Sequence, residues 1–151
     1  MKKNVSRLED HIGFWLSRLS NEVHHAFVAK LKGADISIPE WCVLIALYHE
    51  KEVNPAQIAM RVGIDRAAIS RTVEKLVQRE FITRKIGCDR RYTFLELTEK
   101  ANILIPQLAE LADKNDYEFF HMLQKEEKET LKKILLKIAV KINIEVNNEY
   151  N

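Results

Sequence analysis

Two cysteines, five histidines and a few adjacent carboxylates are the side chains here with reactive or metal-binding potential, and their spacing argues against catalysis. Cys42 lies between Trp41 and Val43 in an apolar run and reads as a small buried hydrophobe. Cys88 stands beside Asp89, Arg90 and Arg91, where two cations would lower a thiol pKa and suit a redox sensor. Asp89 offsets part of that field, so an incidental surface thiol is the other reading. His11, His24, His25, His49 and His121 include no i, i+4 pair, and the adjacent His24 and His25 point to different helix faces, so no metal site is expected. Glu126 and Glu127 fall in the first turn of a helix, where they complement its dipole rather than form an acid–base dyad. Neither a glycine-rich phosphate loop nor a nucleophile elbow is present. The sequence predicts no enzyme and no cofactor.

The charge distribution carries more. Residues 61–91 hold nine Lys/Arg against four acids, a local excess of +5, whereas the whole chain is only +2, leaving −3 for the rest. A concentrated basic stretch suggests a polyanionic partner; a solvated helix face followed by a charged loop is the alternative.

Helices must position that stretch, because four Gly and three Pro in 151 residues are too few for a many-turned β-fold. Apolar residues from Val5 to Leu31 recur in steps of three and four, predicting one long amphipathic helix that Gly33 ends. Ser37-Ile38-Pro39-Glu40 reads as a capping box opening a nearly all-apolar helix over Trp41–His49. Asn54-Pro55-Ala56-Gln57 opens another, interrupted at Val62-Gly63-Ile64, and Asp65 caps a third from Arg66 to about Glu80. Two helices joined by a short Gly-containing turn make a helix-turn-helix. Residues 81–86 and 92–97 are rich in β-formers around a five-residue loop and predict a hairpin. Thr98 caps a helix over about 99–123, which Pro106 is expected to kink or interrupt near Ile103. A final helix over about 125–146 carries Leu131, Ile134, Leu135, Ile138 and Ile142 on one face.

The third helix buries Ile69, Val73, Leu76 and Val77 and turns Arg66, Ala67, Ser70, Arg71, Glu74 and Lys75 outward. Its N-terminal end is basic and small, which suits insertion into a major groove. Arg66 and Arg71 can bridge guanine O6 and N7, and Ala67 can touch a thymine methyl. Arg84, Lys85, Arg90 and Arg91 on the hairpin can reach phosphates or a narrow minor groove. With Ser70 and Lys75 these complete the predicted DNA-binding set.

The run Asp89-Arg90-Arg91-Tyr92-Thr93-Phe94-Leu95-Glu96-Leu97-Thr98 resembles the D-x-R…L-x-L-T wing signature of MarR-type transcriptional regulators. Residues 38–44, 57–64 and 70–76 also fall where that family has its core helix and helix-turn-helix. The resemblance covers about residues 8–142. It implies a mainly α fold with a small β-hairpin wing: a winged helix-turn-helix at about 55–79 with the wing at about 82–97. Dimerisation helices are expected at about 5–32 and 99–146. It further implies a homodimer on an inverted repeat of double-stranded DNA, with Arg91 probing the minor groove and Asp89 holding the wing by a salt bridge. Peroxide-sensing members use a cysteine in the first helix, and this chain has none before position 42. The family places effectors in a crevice beside the dimer helices, where Phe14, Trp15, Arg18 and Trp41 could accept an aromatic carboxylate or phenol. The alternative is that both tryptophans are plain core or interface residues.

No apolar run approaches the roughly 20 residues of a membrane span, and no secretory segment follows Met1-Lys2-Lys3. Two cysteines with 45 residues between them fit a reducing compartment, so the expectation is a cytoplasmic regulator, a repressor released by a small molecule. Its rival is a dimeric protein-interaction module that uses the winged helix to hold a protein.

Overall fold

The computed structural model describes residues 5–50, 54–86 and 93–144. A short 3-10 turn (Leu8–Asp10) precedes α1 (Ile12–Lys32), α2 (Ile38–His49), α3 (Pro55–Val62) and α4 (Arg66–Gln78). The hairpin β1 (Ile82–Ile86) and β2 (Thr93–Leu97) follows, then α5 (Glu99–Phe120) and α6 (Lys125–Lys141). The strands pair antiparallel, with Ile82 opposite Leu97 and Ile86 opposite Thr93. The predicted mainly helical fold with a two-stranded hairpin is therefore the observed one.

Helix starts follow the caps written in the sequence. The Ser37 amide donates to the Glu40 carboxylate at 2.8 Å while Ser37 Oγ accepts from the Glu40 amide at 3.4 Å. Asn54 and Gln57 make the same reciprocal pair at 3.0 Å each way. Thr98 Oγ1 accepts from the Ala101 amide at 3.3 Å to start α5. Each of these bonds satisfies an amide that the first helical turn would otherwise leave unpaired.

Helix ends are less legible, and four of them share one geometry. At the end of α4 the Phe81 amide donates back to the Leu76 carbonyl at 2.9 Å and the Glu80 amide to Val77 at 3.0 Å. This is the double bond of a Schellman turn, with the intervening residue left-handed. The ends of α1, α3 and α6 have the same long back-bond, from Ile36 to Leu31, Ile64 to Ala59 and Ile144 to Ala139. The left-handed residues are Asp35, Gly63, Glu80 and Asn143. Gly33 ends α1 as expected, but it does so right-handed at φ −63° and leaves the left-handed position to Asp35. Glu80 at φ +61° holds a position that suits glycine, since a Cβ there crowds the following carbonyl. Glu80→Gly should therefore raise unfolding stability by about 1 kcal/mol. Urea denaturation of both proteins measures this, and a loss of stability would refute it.

The structure corrects other boundaries. The first helix begins at Ile12 rather than near Val5, because the Arg7 amide is captured by Asp10 Oδ2 at 2.8 Å and His11 is extended. Helix α5 runs unbroken through Pro106. Asn102, whose carbonyl loses its amide there, is exposed like Pro106 itself, so water can meet that carbonyl. The last helix ends at Lys141 with Asn143 left-handed, short of 146; Val146 lies outside the described residues.

The core joins α2, α3, α4, the hairpin and the first half of α5 through Leu44, Ile58, Ile69, Leu76, Ile82 and Leu108. Apolar side chains at the chain's ends are excluded from it. Helix α6 buries none of its residues, and Leu131, Ile134, Leu135 and Ile138 stand exposed along one face. On α1, Ile12, Trp15, Leu16 and Leu19 are likewise exposed. Among the described residues, no helix is long and apolar enough to cross a membrane.

Candidate nucleic-acid interface

Gly63, left-handed at φ +69°, turns the chain from α3 into α4. Asp65 caps α4: its Oδ1 accepts from the Ala67 amide at 2.8 Å and Oδ2 from the Ala68 amide at 3.2 Å. The carboxylate is thus turned onto its own helix rather than left to repel a polyanion. Ile69, Val73 and Leu76 fix the rotation of α4 by burial. At about 100° per residue, Ala67 and Arg71 then lie on the outermost line, with Arg66 and Ser70 on the flank nearer the wing. All four are exposed, and among the described residues Arg66 and Arg71 have no acidic partner. These four predicted contacts come together as one basic, small-residued surface.

Three other predicted contacts have acidic partners that the sequence did not announce. Arg84 on β1 pairs with Glu74 of α4, joining wing and helix. Lys85 pairs across the hairpin with Glu96 at 2.5 Å. Lys75 leaves the outer face and reaches Glu40 at 3.2 Å. In each case the acidic partner comes from a different element. Glu40 itself was missed as more than a cap; the one acid within an otherwise apolar helix was the signal. Arg90, Arg91, Asp89 and Cys88 lie outside the described residues.

Cys42 is half-buried, and burial pushes its thiol up, away from thiolate chemistry. Phe14 and Trp15 meet edge-on with ring centroids 5.3 Å apart, and the Arg18 guanidinium lies 5.7 Å from the Phe14 centroid. Trp41 is not with them. It packs edge-on against Phe27 at 6.3 Å, and Phe27 is thirteen residues along α1 from Phe14, about 20 Å at 1.5 Å per residue. The four side chains expected to line one crevice therefore form two separate aromatic points within a protomer.

Two helices across a Gly turn, the second presented outward, followed by an antiparallel hairpin, define a winged helix-turn-helix protein. A model of the MarR family matches residues 34–91, from the turn before α2 into the wing. The fold is similar to that of CouR from Rhodococcus jostii RHA1, solved bound to p-coumaroyl-CoA. The two are 26% identical over 89% of this chain and 96% of that one, with a TM-score of 0.82. A MarR/EmrR family transcriptional regulator from Acinetobacter sp. ADP1 is 24% identical, covering 91% and 99%, with a TM-score of 0.81. BpsR from Bordetella bronchiseptica shares the fold at 19% identity, covering 90% and 99%, with a TM-score of 0.80. The chain is thus similar to the MarR family over residues 34–91 and shares the fold of these solved regulators along most of its length.

Proposed function

We propose that the chain is a cytoplasmic, homodimeric repressor that binds an inverted-repeat operator and is released by a small molecule. The observation that carries the DNA-binding reading is the outer surface of α4, where Arg66 and Arg71 flank Ala67 and Ser70 with no acidic partner among the described residues. Small residues let the helix approach base edges, and free guanidinium groups supply bidentate contacts. The unpartnered apolar faces of α1 and α6 support a dimer, since an isolated 17-residue helix is marginal in water. The winged helix-turn-helix is assigned to about 55–79 and 82–97, with dimerisation helices at about 5–32 and 99–146.

In this reading α4 enters the major groove, Arg84 and Lys85 stiffen the wing through their acidic partners, and Arg90 and Arg91 reach the backbone or minor groove. Asp89 braces the wing. The CouR complex with an aromatic thioester favours an aromatic effector here, and the Phe14, Trp15 and Arg18 cluster offers rings and one cation to an aromatic carboxylate or phenol. Trp41 belongs to a second aromatic point on the same helix.

Fluorescence anisotropy tests the reading, using a duplex from upstream of the gene and a scrambled duplex across a salt series. Tighter binding to the first, weakening steeply as salt rises, is the expected result. Arg91→Ala should weaken binding about tenfold at matched salt with the dimer intact; unchanged affinity would remove the wing from the mechanism. Failure of wild type to bind either duplex at low salt would favour a protein-interaction module instead.

A further inference from the structure

Glu40 is 1% exposed, the most deeply buried charged group among the described residues. Its Oε2 accepts from the Ser37 amide at 2.8 Å and Ser37 Oγ at 2.7 Å, which completes the capping of α2. Capping asks for nothing more, and glutamine would serve it equally. The charge is used at Oε1, which accepts from Arg79 Nη1 at 2.9 Å, at the C-cap of α4, and pairs with Lys75 Nζ at 3.2 Å, in its last turn. Burial alone would raise the Glu40 carboxyl, but the bonds from Ser37, Lys75 and Arg79 outweigh it and hold it below the ordinary glutamate range. Arg79 is in turn fixed on other sides. Its Nη2 reaches Asp35 at 3.2 Å, its guanidinium lies 5.1 Å from the Phe81 ring, and its carbonyl accepts from Lys100 Nζ at 2.8 Å. One carboxylate thus ties the start of α2 to the last turn of the helix that presents Arg66 and Arg71.

We propose that Glu40 is a positioning residue of the DNA-binding surface: it sets how α4 lies against α2 and keeps Lys75 away from DNA phosphates. The inference rests on the DNA-binding reading above. Lys75 is half-exposed and one turn from Arg71, so without Glu40 its ammonium would be free to act as a sequence-blind phosphate contact. Holding it back makes affinity depend on the residues that face bases.

The test compares wild type, Glu40→Gln, Lys75→Met and the double variant on a duplex that wild type selects from random DNA and on a scrambled one. Glutamine keeps an oxygen for Ser37 and turns an amide towards Arg79 and Lys75, so the cap survives and the charge is lost. In Glu40→Gln the preference for the selected duplex should fall about tenfold. The salt dependence on both duplexes should steepen by about 0.9 in log–log slope, one added phosphate contact. Adding Lys75→Met should restore the wild-type slope, while Lys75→Met alone should leave it unchanged. A purely structural role would lower the melting temperature without moving the slope or preference of folded protein, and that result overturns the proposal. A shallower slope in Lys75→Met alone overturns it too, and this variant decides the matter if Glu40→Gln fails to fold. If wild type selects no duplex, the DNA-binding reading fails separately and hydrogen exchange decides the positioning. Faster exchange in Glu40→Gln confined to residues 75–81 supports it; acceleration spread evenly over all helices refutes it.

Discussion

Ile138→Glu should convert the proposed dimer into a folded 17.6 kDa monomer that has lost at least about a hundredfold in affinity for an inverted-repeat duplex. Ile138 lies beside Ile134 and Leu135 on an α6 face that stays exposed among the described residues, with Ile142 just past the helix end. Symmetric pairing would place this face against a second copy, so one substitution introduces two carboxylates. An unpaired charge forced into such an interface costs several kcal/mol per site, more than a marginal helix pair can absorb. DNA binding should fall with it because, in the proposed dimer, each half-site would be held by one winged helix, and linking two such modules multiplies affinity by about 10² to 10⁴. The winged helix core built on Leu44, Ile58, Ile69 and Leu76 lies elsewhere and should keep its cooperative unfolding. Sedimentation equilibrium and anisotropy measure the two effects. A dimer of undiminished DNA affinity would show that α6 is not the interface.

Arg71→Ala should act on sequence rather than on mass. Arg71 lies on the outermost line of α4 with no acidic partner among the described residues, so its guanidinium is free to bridge guanine O6 and N7. Such a pair discriminates by about 1–3 kcal/mol, roughly 5- to 150-fold on the selected duplex. Loss on scrambled DNA should be only a few-fold, because one cation is removed in both cases. Equal losses on the two duplexes would make Arg71 a phosphate contact. The thermal transition should be unchanged, since this side chain is exposed and has no acidic partner among the described residues.

The elements written locally in the sequence are those the structure repeats. Ser37, Asn54, Asp65 and Thr98 cap their helices because an acceptor two or three residues before an amide needs no tertiary help. Gly63 turns the chain where a glycine is required. Three of the four left-handed helix ends use Asp35, Glu80 and Asn143 instead, where the back-bond and the packing of Phe81 or Ile36 overcome the Cβ penalty. Asp and Asn enter this conformation more readily than other side chains, but nothing local marks Glu80. The same division runs through the site. Arg66, Ala67, Ser70 and Arg71 are exposed as helical periodicity requires, whereas the engagement of Lys75 and Arg84 depends on partners in other elements. Glu40 is 39 residues from Arg79, a separation no spacing argument reaches. Trp41 shows the same limit, placed by α2 against Phe27 and far from the rings it was grouped with.

The hairpin is built like a cantilever. Its root is clamped: the Thr98 amide donates to the Phe81 carbonyl at 3.0 Å and Thr98 Oγ1 to the Glu80 carbonyl at 2.7 Å. Thr98 is also the cap of α5, so the clamp and the first turn of that helix are one joint. A load on the wing therefore cannot be absorbed at its base and passes as torque into a rod of 22 residues, about 33 Å long. The far end of that rod adjoins α6. In the proposed dimer, docking of each wing would thus be felt as leverage between the two halves, and stiffness in α5 would set how far apart two half-sites can stand.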